Sequence, residues 1–137
     1  MSESGSEGIK RLGGDPPSPF EEPFGYCRVV DIGDFVFVGG TTSVDPCGFV
    51  VGETPYEQAL VIFGKLAHEL ERVGLSAGDV VQTRMYVTDI SRGEEVGRAH
   101  GEVFGAAPPV ATMVEVSGLI DPRMLVEVEL VAVRRGA

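Results

Sequence analysis

Residues 108–135 read PPVATMVEVSGLIDPRMLVEVELVAVRR, and their pattern sets the fold. Two runs, 110–116 and 125–133, are rich in Val and other apolar residues that favour strands. Side chains of a strand alternate faces with a period of two. In the second run, Val126, Val128, Leu130 and Ala132 therefore form one apolar face, and Glu127 and Glu129 point the other way. With Glu115, three carboxylates stand among Val and Leu, where each needs water, a partner or a chemical role.

Working outward, the remaining elements follow in order. Residues 29–30 and 35–38 are short apolar runs separated by Asp31-Ile-Gly-Asp34, which predicts a hairpin. Asp45-Pro-Cys-Gly48 is a turn. Thr54-Pro55-Tyr56-Glu57 places an N-cap, a first-turn proline and a capping-box glutamate ahead of Ala59, Phe63, Leu66, Leu70 and Val73, with Gly74 as the stop. Residues 80–87 are a β-branched run. Ser91-Arg-Gly-Glu94 reads as a second capping box, opening a helix with Val96, Ala99, Val103 and Phe104 on one side. The order is ββαβαββ, an α+β fold in which two helices cover one face of a single mixed sheet. The other face stays free of helices and carries Glu127, Glu129 and, depending on register, Thr83 or Arg84. Such a face suits either water or symmetric self-association with pockets between subunits.

Composition narrows the function classes. A chain of 137 residues with 43% hydrophobic residues is one domain with a sizeable core. Residues 1–23 are rich in Ser, Gly, Glu and Pro and read as a floppy tail before a domain at 24–137. They show no secretory signal, and no run is long enough for a membrane helix, so the expectation is a cytoplasmic protein. Net charge is -10, and no Lys/Arg cluster carries interleaved aromatics, which argues against nucleic acid as the main partner. Cys27 and Cys47 fit no zinc or disulfide pattern and read as buried thiols, while His68 and His100 stand alone on their helices. No metal site, phosphate-binding loop or serine-hydrolase elbow is present as a motif.

Three segments together resemble the YjgF-type Rid family, the reactive-intermediate (enamine/imine) deaminases. They are Val36-Phe-Val-Gly-Gly-Thr-Thr42, Gly78-Asp-Val-Val-Gln-Thr-Arg-Met-Tyr-Val-Thr-Asp-Ile90 and Val126-Glu-Val-Glu-Leu-Val-Ala-Val-Arg-Arg135. The resemblance implies a homotrimer of YjgF/chorismate-mutase-like subunits, helices outward, with a small-molecule cleft at each subunit interface. It places a cleft tyrosine at Tyr26, a water-positioning glutamate at Glu127 and a backbone glycine at Gly40, with Gly39 where a serine is usual. Tyr86 and Met113 are further candidates to line the cleft. The family's carboxylate-gripping arginine falls at Ala111 in Pro109-Val-Ala-Thr-Met-Val-Glu-Val116, a departure.

Losing a charge-assisted clamp removes about 1.5–3 kcal/mol of binding, and alanine leaves room for a larger or less anionic ligand. Arg28, Arg84 and Arg123 are the alternatives for that role, with Arg84 the first choice because a strand with apolar neighbours presents it. Glu115 and Glu129 default to surface charge. Two readings of function follow. One is a cofactor-independent hydrolase acting on a C=N or related C–N bond, with Glu127 orienting water. The other is a non-catalytic trimer that binds a small ligand. An endoribonuclease reading, attached to the family, fits the acidic charge least.

Overall fold

A computed structural model describes residues 8–135. Its strands are β1 (Ile9–Leu12), β2 (Val29–Ile32), β3 (Phe35–Thr41), β4 (Val80–Val87), β5 (Val110–Glu115) and β6 (Val126–Val133). Its helices are α1 (Glu21–Phe24), α2 (Pro55–Arg72) and α3 (Gly93–Phe104). The strands form one six-stranded sheet in the order β1-β2-β3-β6-β4-β5. Only β4 and β5 run parallel, as expected for strands joined through a crossover helix. The expected ββαβαββ order is present, flanked by the additional β1 and the single-turn α1.

The core lies between the sheet and the two long helices. Ile62, Leu66 and Leu70 of α2 and Val96 and Ala99 of α3 pack on Val36, Val128, Leu130 and Ala132. Burying each large aliphatic side chain contributes roughly 1.5–3 kcal/mol. Along β6 burial alternates strictly, with Val126, Val128, Leu130 and Ala132 inward and Glu127 and Glu129 outward, half-buried. On β4, Thr83 turns inward and bonds His100 at 2.8 Å, so Arg84 rather than Thr83 belongs to the outer face.

Local chemistry sets the helix starts. Thr54 accepts the Glu57 amide at 3.1 Å, but the Glu57 carboxylate takes the Glu53 amide at 2.8 Å, one residue before the expected partner. Ser91 is not a helix cap: Asp89 accepts both its amide and its hydroxyl, forming the 3-10 turn Ile90–Arg92, and α3 begins at Gly93. A carboxylate acceptor outcompetes a hydroxyl there. Buried Gln58 accepts the Leu125 amide and donates to the Gly52 and Arg123 carbonyls, fixing the loop that leads into β6.

Two other expectations change. The floppy stretch expected through residue 23 is ordered from Ile9: β1 pairs with β2, and the buried Glu21 carboxylate accepts the Gly14 and Ser18 amides. Backbone pairing and one buried carboxylate replace the apolar burial that sequence patterns detect; residues 1–7 lie outside the described part. Cys47 is exposed and Cys27 half-buried, because Cys47 sits in the turn that Asp45 closes by accepting its amide. Among the described residues, no helix is long and apolar enough to cross a membrane.

Candidate functional site

The site begins with a break in β3. Val38 pairs with Leu130 and Thr41 with Val128, so Gly39 and Gly40 together face a single residue of β6. This is a β-bulge, and it changes which residues face inward, from Val36 and Val38 before it to Thr41 after it. Gly40 needs its missing side chain: a Cβ there would collide with the Glu127 carboxylate. Gly39 has room, its nearest neighbour being the Arg28 carbonyl at 3.7 Å from an added Cβ.

Around the bulge lies a cavity of about 1060 Å³. Tyr26, Gly39, Gly40 and Glu127 line it together with Arg28 and Lys65. Residues 14–21 form one wall, held by Glu21 and by His68, whose ring lies 3.0 Å from Asp15. Lys65 reaches in from α2 and donates to the Thr42 and Val44 carbonyls at 2.6 and 2.9 Å. Arg28 donates to the Gly40 carbonyl, so the two halves of the Gly40 residue meet an arginine and a glutamate.

Electrostatics separate these groups. Burial pushes the Glu127 carboxyl above its usual range, with the charge of Arg28 opposing the rise and that of Glu129 adding to it. Such a carboxyl exchanges protons closer to neutral pH than a solvated one. Burial, then the neighbouring Arg28 charge, draws the Lys65 ammonium below its usual value.

The other predicted residues lie elsewhere in the chain. Arg84, the first choice for the missing clamp, is on the outer sheet face 3.6 Å from Glu129, outside this cavity. Tyr86 donates to the other Glu129 oxygen at 2.6 Å, a bond that raises its phenol above the usual value. Ala111 and Met113 sit on the edge strand β5, paired with Thr83 and Met85, and neither lines the cavity. Met113 packs its sulfur against Gly93. Arg123 pairs with Asp121, whose carboxyl it holds down at about 2. Glu115 accepts the Ile90 amide at 2.9 Å, a structural role.

Sequence reasoning missed Lys65, His68 and the wall at 14–21. A charged residue between Phe63 and Leu66 of an amphipathic helix was the available sign for Lys65. The wall has no periodicity to read. Among the described residues, no group of three or more His, Cys, Asp or Glu side chains is placed to hold a metal ion.

Comparison with known proteins places the chain. The family described as Endoribonuclease L-PSP matches residues 20–134. An uncharacterized protein of Streptomyces coelicolor is 41% identical over 130 residues, covering 94% of this chain and 95% of its own. A 2-iminobutanoate/2-iminopropanoate deaminase of Salmonella typhimurium is 32% identical over 114 residues, covering 80% of this chain and 88% of its own. The crystal structure of a YjgF/YER057c/UK114-family protein of Mycobacterium tuberculosis superposes with a TM-score of 0.82 at 40% identity, over 91% of this chain and 98% of that one. By sequence and by fold alike, the chain belongs to the Endoribonuclease L-PSP family, the YjgF/YER057c/UK114 proteins.

Proposed function

We propose that the cavity beside the β3 bulge hydrolyses the C=N bond of a small enamine- or imine-derived metabolite, without a cofactor. The observation that carries this reading is the half-buried Glu127 carboxylate, packed on Gly40 and opening into a cavity. Glu127 takes a proton from water as the oxygen adds to the C=N carbon. It returns that proton to the nitrogen, giving a carbinolamine, and then carries the hydroxyl proton to the same nitrogen as the C–N bond breaks, leaving a carbonyl and ammonia. Relatives named as 2-iminobutanoate/2-iminopropanoate deaminases support the choice of reaction. General base catalysis of this kind is worth about 10²–10⁴-fold. Ammonia release from a panel of imines should therefore fall by at least about 10²-fold in Glu127→Gln. Equal rates in the two proteins would sink the enzymatic reading.

In that case a non-catalytic ligand-binding function is the better account, and Ala111 favours it, since alanine offers no carboxylate donor. Thermal shift against a metabolite panel then decides, because a ligand of the native state must raise the melting temperature. An endoribonuclease activity is the weakest alternative at a net charge of -10.

The reading includes a homotrimer in the cytoplasm with clefts completed between subunits. Its support is the outer sheet face, where Ile32, Phe35 and Phe37 are 37%, 50% and 44% exposed in the single chain. Apolar surface of that kind marks an interaction site. Sedimentation should return a trimer mass, and Phe37→Asp should reduce it to the monomer; a wild-type monomer refutes the assembly.

A further inference from the structure

Arg28 stands in the cavity with donors that the fold does not use. It precedes β2 and is half-buried, and the only hydrogen bond of its side chain among the described residues is from Nη1 to the Gly40 carbonyl. Its guanidinium lies 5.7 Å from the centre of the Tyr26 ring. No described carboxylate is within ion-pair distance of it, whereas Arg72, Arg84, Arg92, Arg123, Arg134 and Arg135 each pair with an Asp or Glu. A guanidinium presents five N–H donors in a planar fork, so most of this one remains available.

The surroundings favour an anion. Lys65 brings a second cation into the same cavity, and the charge of Arg28 acts on it directly. Asp45, Glu69 and Glu127 also line the cavity, but none of them stands within ion-pair distance of Arg28 or Lys65. An added Cβ at Gly39 would meet Arg28 Nη1 at 3.8 Å, so the arginine borders the space that a serine would enter. Gly40 ties the parts together, touching Arg28 through its carbonyl and Glu127 through its Cα.

We propose that Arg28 is the anion-recognition residue of this cavity, gripping the carboxylate of a ligand whose reacting carbon then lies beside Glu127. The recognition group comes from the start of β2, in place of the arginine absent at Ala111 on β5. For the reacting carbon, this inference rests on the hydrolytic reading above; for carboxylate binding it stands alone.

The test is calorimetric titration with 2-oxobutanoate, the carbonyl compound that hydrolysis of 2-iminobutanoate leaves, and with butanone, which lacks the carboxylate. Wild type and Glu127→Gln should bind 2-oxobutanoate in preference to butanone. Arg28→Gln keeps a donor for the Gly40 carbonyl and should weaken 2-oxobutanoate by about 10- to 150-fold, with butanone unchanged. Should Arg28→Gln lack a native melt, Arg28→Lys serves instead: it keeps the charge, loses the fork and should still weaken binding severalfold. Unchanged affinity in a folded Arg28 variant overturns the proposal, as does a wild type that does not bind 2-oxobutanoate or prefers butanone. Absence of ammonia release from imines, with Arg28-dependent titration intact, would remove the reaction alone.

Discussion

Glu127 and Glu129 differ by one turn of the strand's alternation, point to the same side of β6 and are both half-buried. Their surroundings are opposite. Glu129 lies mid-face, where Tyr86 donates to one oxygen and Arg84 approaches the other. Glu127 lies where β3 bulges, packed on a glycine, and its carboxylate makes no hydrogen bond among the described residues. A satisfied carboxylate contributes to structure, whereas one with unfilled acceptor sites in a cavity is available to a ligand or water. The lesson is that neighbours, rather than position on the strand, divide structural from chemical carboxylates.

The strongest way to break this comparison is steric. Gly40→Ala puts a methyl group where the Glu127 carboxylate rests, while Gly39→Ala makes only ordinary van der Waals contacts, the nearest at 3.7 Å. If the cavity works as proposed, Gly40→Ala should lower kcat/KM by about 10²-fold, the cost of misplacing a reacting group by an ångström. Gly39→Ala should stay within a few fold, and equal effects would show that the carboxylate's seat is irrelevant.

A smaller effect tests the electrostatics through stability. Burial raises the folded-state pKa of Glu127, so its ionised form is disfavoured in the native state. Its contribution is most favourable below the unfolded pKa and is lost as pH rises through the folded pKa. Glu127→Gln should therefore melt a few degrees above wild type at pH 7, with the difference closing near pH 4. Glu129→Gln should go the other way at pH 7, losing about 0.5–1.5 kcal/mol with its Tyr86 bond weakened. Differential scanning calorimetry across that range distinguishes the two glutamates by sign.

How much of this was legible in the sequence depended on the kind of signal. Period-two alternation in residues 126–133 and three-and-four spacing in α2 fixed their faces correctly, because burial imposes those periods directly. β1 escaped notice because its pairing uses backbone groups that every residue shares. Ser91 misled because a motif does not reveal that Asp89 competes for the same hydroxyl. At the site, Tyr26, Gly40 and Glu127 line one cavity, while Arg84 lies outside it beside Glu129. Strand neighbours revealed that Arg84 was presented, but only the sheet register places it opposite Glu129.

The paired glycines of β3 also govern what changes the gene can tolerate. Before them even-numbered residues face the core, and after them odd-numbered ones do, as Thr41 and Ser43 show. Losing one codon here would reverse that parity and carry the Thr42 and Val44 carbonyls away from Lys65. A side-chain substitution in the cavity leaves this parity intact, whereas a change of chain length at 39–40 does not.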